Sequence, residues 1–390
     1  MEWSTPKLGD FCEVIAGQSP EGKYYNDTGE GLPFYQGKKE FQEKSIGPPQ
    51  KWTTKVTKEA KAGDILMSVR APVGPINFST QSICIGRGLA AIRPSEEIDK
   101  NFLFYYLLSK QDEIKGNEGA VFASINKSQI QKLQFPYIHL EEQKRIVAIL
   151  DQVFADIKKA RASAEKNLKN ARELFDNYLQ QVFSQRGEGW KVQKVSEIAD
   201  TCLGKMLDKK KNKGSPKPYL RNLNVQWFDI NLNDIQEMRF EDSEYERYAI
   251  KKGDLVICEG GYPGRGAIWQ HEEDIFFQKA LHRIRSHNEI YNQWILYYIY
   301  LSDCNGSLKS NFTGAGIQHF TGKALKNLAI PTPQESIAEA YVKKIVALQD
   351  KVRFLESVYK RKLVNLTELK KSILQKAFTG ELTKSKGIAA

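Results

Sequence analysis

The chain has 390 residues, 41% hydrophobic and 11% aromatic, which is enough apolar material for two or three packed domains and too much for a disordered tail. Its 58 Lys and Arg exceed its 47 Asp and Glu, giving a net charge of +11. That excess points to a polyanionic partner, nucleic acid before a membrane surface. The five cysteines (Cys12, Cys84, Cys202, Cys258, Cys304) never fall in CxxC spacing, which excludes a zinc ribbon or thioredoxin-type site and reads as buried thiols in a reducing compartment. "MEWSTPKLGD" lacks a signal pattern, and the longest apolar run, "WILYYIYL" (294–301), is far too short for a bilayer. A soluble cytoplasmic protein without membrane association is the expectation.

Residues 1–140 read as a mixed domain in which short strands prevail. "FCEVIAG", "DILMSV", "QSICI" and "LAAIRP" are β-rich runs bounded by Gly and Pro, and "NFLFYYLLSKQ" (101–111) is an amphipathic helix. Loops pair Gly with basic or amide residues in "YQGKKEF" (35–41), "SVRAPVG" (68–74) and "IGRGLA" (85–90). "GQSPEGKYY" (17–25) nearly fits a phosphate-binding loop. Tyr24 replaces the required Ser or Thr, however, and no helix follows to hold phosphate.

Residues 141–186 form a long helix with no Gly before the end and no Pro. A 4-3 apolar spacing runs through Ile146, Leu150, Val153, Ile157, Ala160, Ala164, Asn167, Ala171, Leu174 and Tyr178, the period of a coiled-coil seam. Residues 187–333 then repeat the first domain. "GWKVQKVSEI" follows "EWSTPKLGDF", "KKGDLVIC" follows "KAGDILMS", and "LHRIRS" follows "LAAIRP". Gly314, Ala315, Leu328 and Pro331 match Gly119, Ala120, Leu133 and Pro136, 195 residues apart. Residues 334–390 carry a second long helix and tail. Its seam is Tyr341, Ile345, Leu348, Val352, Leu355, Tyr359, Lys362, Leu366, Leu369 and Ile373, each residue its counterpart plus 195. Both helices end alike, "NYLQQVFSQRG" (177–187) and "SILQKAFTGEL" (372–382).

A lone heptad helix suggests an oligomerisation stalk. Two matched seams in one chain make each helix the economical partner of the other. The expected fold is therefore mixed α/β (α+β): two tandem globular domains separated by two long helices that form an antiparallel coiled coil with pseudo-twofold symmetry. Each helix would be ~65 Å long at the α-helical rise. Asn167 and Lys362, polar at the same slot, are expected to lie near the pseudo-axis and fix register. The tail is expected to return beside the first helix's start and the N-terminal domain, closing the molecule nearly into a ring. Truncation at Thr379 would test this.

The loops differ where the framework matches: Gln36 stands against Arg221, and "SVRAPVG" against "EGGYPGRG". Two specificities on one fold would look like this, and so would loop drift. Enzymatic motifs are absent. There is no G-x-S-x-G, no H-E-x-x-H, and no Asn/Asp-Pro-Pro-aromatic tetrapeptide of amino-methyltransferases. The five histidines (His139, His271, His282, His287, His319) have no metal-ligand spacing.

"LQKAFTGELT" after a long helix, "EEQKRIVAILD" (141–151) opening the first helix, and "WKVQKVSEIA", "PYLRNLNV" and "KKGDLVI" together resemble the specificity subunit of Type I restriction–modification systems. The resemblance covers essentially the whole chain. It implies two target-recognition domains, each reading one half of a split, asymmetric double-stranded DNA target. The helices would act as a ruler and as docking surface for two methyltransferase subunits, with room for motor–nuclease (restriction) subunits. It also implies no catalysis and no cofactor in this chain, with S-adenosylmethionine, Mg²⁺ and ATP on the partners. The second helix departs from the pattern: "PTPQESIAEAYV" lacks Glu-Gln-Lys-Arg, which puts equal methyltransferase contacts in doubt.

DNA reading needs phosphate anchors and base-edge readers. On that ground the candidates are Gln36, Lys38, Arg70 and Arg87 in the first domain. In the second they are Lys205, Lys209, Arg221, Asn222, Arg265 and Lys279. A DNA-modifying enzyme with a cryptic site and a coiled-coil scaffold remain as alternatives.

Overall fold

The computed structural model describes residues 3–114, 124–185, 187–208 and 210–384. By its contacts the chain divides into two compact units, Met1–Glu165 with Arg361–Ala390, and Lys166–Lys360. Each unit holds one globular domain and a stretch of each long helix. The units thus cut across the sequential segments 1–140, 141–186, 187–333 and 334–390.

In the first unit an antiparallel sheet runs in the order Cys12–Ala16, Leu89–Pro94, Ile65–Ser68, Ile76–Phe78. A second sheet orders Tyr25–Asn26, Trp52–Thr53, Leu32–Tyr35, Ile83–Ile85 and Glu59–Ala60, with Leu32–Tyr35 and Ile83–Ile85 parallel. The second unit repeats the plan. Ala199–Leu203, Leu281–Ser286, Leu255–Cys258 and Gly266–Ile268 form the antiparallel sheet. Gln236–Phe240, Ser215–Leu220, Ile275–Phe277 and Ala249–Ile250 form the other, again with one parallel pair, Ser215–Leu220 on Ile275–Phe277. Ile65–Ser68 and Leu255–Cys258 are buried at every position, as central strands covered on both faces must be. The helices Lys100–Ser109 and Ile290–Cys304 cover the sheets.

The repeated Gly-Asp turn has a structural cause. Asp64 accepts the backbone N–H of Lys61 at 2.8 Å and takes Arg93 in a fork of 2.9 and 2.8 Å. Asp254 does the same with Lys251 at 2.7 Å and Arg285 at 2.8 and 2.6 Å. The matching "GD" and "IR" motifs are therefore the two ends of one ion pair that ties a turn to the neighbouring strand of the antiparallel sheet. Each domain also closes on itself. Lys191–Lys194 pairs with Ala329–Thr332, and in the first unit Ser4 and Lys7 bridge Tyr137 and Gln134.

The long helices span Leu140–Ser184 and Glu335–Phe378. Within the first unit Arg161 donates to Thr367 at 3.5 Å, and the Lys370 ammonium lies 5.0 Å from the Phe154 ring centre. Within the second unit Arg172 donates to Glu356 at 2.6 Å. In the first unit Phe154 faces Lys370 and Arg161 faces Thr367; in the second Arg172 faces Glu356 and Tyr178 lies near Tyr341, so the pairing in each unit is antiparallel.

The seam departs from strict heptads at Leu174 in the first helix and at Lys362 and Leu369 in the second. Leu174 and Leu369 are 53% and 46% exposed. In the first helix the buried row moves to Phe175, Leu179, Val182 and Phe183; in the second it moves to Leu374 and Ala377. Successive four-residue steps (171, 175, 179) drift off a 3.5 period because the row now faces a globular domain. Phe175 packs on Phe228, Tyr297 and Tyr300, and Phe183 on Trp294. Asn167 is half-buried, and Lys362 is exposed rather than buried.

The tail packs within the first unit. Leu374 and Ala377 join a core cluster with Ile146, Val147 and Leu150. Phe378 meets Phe102 at 5.2 Å and Tyr106 at 5.6 Å between ring centres. Gly380, at φ 77°, ends the helix in the left-handed region against Trp3, where a Cβ would come 3.4 Å from the indole.

Gln143 of "EEQKR" is fully buried. Its oxygen accepts the N–H of Asp99 at 2.8 Å, and its amide donates to the carbonyls of Glu97 at 3.0 Å and Ile138 at 2.8 Å. Asp99 in turn caps the helix Lys100–Ser109 through Asn101 and Phe102. Gln143→Ala is expected to cost roughly 2–3 kcal/mol, because it strands buried polar groups, and to appear as a lowered melting temperature. The second copy has buried Ala338 at this slot, so the missing motif reflects an apolar solution to the same junction.

Candidate functional site

In each domain, loops at one end of the sheets are drawn together by backbone contacts. In the first, the N–H of Gln18 donates to Ile85, that of Gly86 to Tyr35, and that of Val69 to Gly88, at 2.9, 2.8 and 2.9 Å. In the second, Lys205 donates to Phe277 at 3.1 Å, Gln278 to Leu220 at 3.1 Å, and Lys279 to Lys205 at 2.8 Å. Gly17 and Gly204 allow this approach: a Cβ at either would lie 2.2 Å from the carbonyl oxygen of Gly86 or Gln278. Gln18, Gln36 and Arg87 therefore occupy the places of Lys205, Arg221 and Lys279. One framework presents two different sets of side chains.

The first domain's candidates extend freely. Gln36, Lys38, Arg70 and Arg87 are all exposed. Among the described residues no ion pair holds Lys38, Arg70 or Arg87. Gln36 and Arg87 meet through the glycine loop, since a Cβ on Gly88 would lie 2.2 Å from the Gln36 carbonyl oxygen. Arg70 stands next to them because the N–H of its neighbour Val69 donates to Gly88.

The second domain's candidates are held differently. Lys205 is buried, paired with Glu244 and the Arg239 carbonyl over the Phe240 ring, so its ammonium braces the domain from inside. Burial resists ionisation of Glu244, but Lys205, the Glu241 backbone N–H and the Arg247 charge together hold the carboxyl below its ordinary range. Arg221 donates to the Asp234 side chain at 2.6 Å and its carbonyl at 2.7 Å. That bond, with a second from Gln236, holds the Asp234 carboxyl low. Asn222 donates to Gly260 at 3.2 Å, and its own carbonyl accepts from Arg265 at 3.0 Å. The Arg265 guanidinium lies 4.9 Å from the centre of the Tyr262 ring. Burial pushes the neighbouring Cys258 thiol up to about 11, against the pull of Arg265. The Nε atoms of Arg221 and Arg265 are buried without a hydrogen-bond partner. Lys279 is exposed, and Lys209 lies outside the described residues.

The structure thus gathers Gln36, Arg70 and Arg87 in one domain and Arg221, Asn222 and Arg265 in the other. Sequence reasoning missed Tyr262 under Arg265, Asp234 on Arg221, and Glu259 on His319 (3.1 Å). The "GYPGRG" spacing of Tyr262 and Arg265 was a readable signal; the Asp234 contact was not. Of the cysteines, Cys12, Cys84 and Cys258 are buried, but Cys202 is half-buried and Cys304 exposed; none is in a disulfide. Among the described residues no helix is long and apolar enough to cross a membrane.

Each unit thus holds a copy of one mixed domain with its own set of end loops, joined to stretches of two antiparallel helices. The family model for the Type I restriction modification DNA specificity domain matches residues 1–165 and again 187–373, and the chain belongs to that family. It is 39% identical over 184 residues to the putative type I restriction enzyme MjaX specificity subunit of Methanocaldococcus jannaschii, covering 46% of this chain and 42% of that one. The MjaVIII specificity subunit of the same organism is 21% identical across 98% of this chain and 93% of its own. The EcoKI specificity subunit of Escherichia coli K12 is 23% identical over 76% of this chain and 69% of its own. The chain therefore spans less than half of the first relative and nearly all of the second. Among solved structures, a chain from work on complex assembly and conformational transition of the type I R-M system gives a TM-score of 0.78 at 18% identity, covering 97% of this chain and 98% of that one. The HsdS subunit from Thermoanaerobacter tengcongensis gives 0.63 at 18% identity, covering 97% of each. At that identity both support the fold.

Proposed function

We propose that this chain is the non-catalytic DNA-reading subunit of a Type I complex in the cytoplasm. Each domain reads one half of a bipartite asymmetric target. The paired helices set the spacing and dock two methyltransferase subunits, which carry S-adenosylmethionine, while Mg²⁺ and ATP serve motor–nuclease subunits where these join. The observation that carries the reading is the shared loop framework with exchanged side chains at its surface: Gln36 and Arg87 in one copy, Arg221 and Lys279 in the other. Arg and Gln match purine edges in the major groove, and Lys matches phosphate. Exposed Glu141, Lys144 and Arg145 at the first helix's opening are a polar surface suited to a partner subunit.

Mapping methylated bases in the source genome tests this. The expected result is a bipartite, asymmetric motif that disappears when this chain's gene is deleted. Methylation by the purified chain alone would overturn the reading, and DNA binding insensitive to salt would favour a scaffold. Arg221→Ala is expected to cost about 1–3 kcal/mol and relax preference in one half-site only; equal weakening on all sequences would make Arg221 a phosphate contact.

A further inference from the structure

Three exposed apolar side chains stand on the second domain's loop face, and two of them, Ile317 and Leu223, take no part in the arginine and amide contacts above. Ile317 is 74% exposed, the highest among the described large hydrophobic residues; Leu223 is 67% exposed and Tyr262 48%. Their loops touch. Asn222 donates to Gly260, a Cβ on Gly261 would lie 2.2 Å from the Asn222 amide nitrogen, and a Cβ on Gly260 would lie 3.1 Å from the His319 ring. Ile317 therefore stands on the face that carries Asn222 and Arg265.

The loop that carries Ile317 is built. Thr313 and His319 exchange both backbone hydrogen bonds at 2.9 Å, and Phe320 N–H donates to Glu259 at 2.8 Å. His319 also meets the Glu259 carboxylate at 3.1 Å. Gly314 turns at φ 105°, where a Cβ would fall 2.2 Å from the Ile317 carbonyl oxygen. The base of the turn is fixed while its apolar tip is held in water, an arrangement that adds nothing to the fold's own core.

We propose that Ile317 contacts a base: its side chain packs on the 5-methyl group of a thymine in the major groove, next to the bases faced by Arg265 and Asn222. The inference rests on the DNA-reading assignment and deepens it. Duplex DNA is the occupant because the apolar tip lies among cationic and amide groups. Arginine and asparagine donors beside an apolar contact match the mixture of acceptors and methyl groups that the major groove displays. The chain's net charge of +11 supplies the attraction to phosphate around it.

The test uses the assembled methyltransferase complex once genome mapping has given the half-sites. Each thymine of the second domain's half-site, on either strand, is replaced in turn by deoxyuridine, which removes only the methyl group. The wild-type complex is expected to lose about four-fold in affinity at one thymine, the value of one buried carbon. Ile317→Ala is expected to bind the natural site several-fold more weakly, to be indifferent to deoxyuridine at that thymine, and to keep the wild-type salt dependence. Equal deoxyuridine sensitivity in both proteins, no effect at any thymine, or a half-site without A·T pairs would overturn the proposal. A wild-type complex with no sequence preference at all would instead remove the DNA-reading assignment.

Discussion

Asp254→Ala is expected to destabilise the second unit by about 3–5 kcal/mol, the range for removing one partner of a buried ion pair. The Asp254 side chain is 3% exposed and carries three hydrogen bonds, two from Arg285 and one from the Lys251 backbone. Its loss leaves the Arg285 guanidinium without the carboxylate that keeps its pKa raised, and leaves a turn N–H uncapped. Arg285 is 32% exposed and can recover some water, so the lower half of the range is the better expectation. In a unit of this size that is roughly a 10 °C fall in melting temperature. The double variant Asp254→Ala/Arg285→Ala checks the cause: it should be more stable than Asp254→Ala. If it is not, the stranded charge is not the reason. Asp64→Ala should behave alike in the first unit, since Arg93 makes the same fork there and its pKa is raised by the same bond.

Phe183→Ala is expected to cost about 3–5 kcal/mol, the usual penalty for emptying a buried aromatic site. Phe183 is buried, with its ring centre 4.7 Å from Trp294 and 5.4 Å from Tyr298. Phe378→Ala, its counterpart in the first unit, should cost less because Phe378 is only half-buried. Both residues end a helix by anchoring its last turn on a globular domain. Hydrogen exchange should therefore show early loss of protection in the last two turns of the affected helix, before the sheets open. Uniform loss of protection through the whole unit would mean that the helix end and domain unfold together. If docking of these ends fixes the angle of the spacer on the domain, both variants should also tolerate altered spacing in the DNA target.

The same pairs explain why the sequence could be read as far as it was. "KAGD" with "IRP", and "KKGD" with "IRS", look like unconnected echoes in a linear comparison. They are legible as repeats because both ends of one ion pair must be kept for the turn to hold. The 195-residue match between tails is legible for a similar reason. Leu179, Val182 and Phe183 in one copy, and Leu374, Ala377 and Phe378 in the other, fill the same kind of site. Heptad counting failed at Leu174 and Leu369, where the helix leaves one neighbour for another. A period states that one face is apolar, but not when the surface opposite that face changes.

For the candidate interface the limit lay elsewhere. Residue type singled out Lys205 as readily as Lys279, yet Lys205 is held inside by Glu244 while Lys279 is exposed. Arg221 and Arg70 looked equivalent, but Asp234 holds the first and no ion pair holds the second among the described residues. A cation's availability depends on which carboxylate the fold brings to it, and these partners stand 39 and 13 residues away in the chain.

The duplication, the mixed domains, the two long helices and the loops that carry polar variation are legible along the chain. These follow from local periodicity, turn chemistry and the comparison of two copies within one chain. Packing sets which loop cations stay open, how buried Gln143 bonds the junction at one helix start where Ala338 fills it at the other, and the exposure of Ile317 on the loop next to those of Arg265 and Asn222. Those properties depend on burial and on partners distant in sequence, and burial is set by the packed whole, which no local pattern specifies.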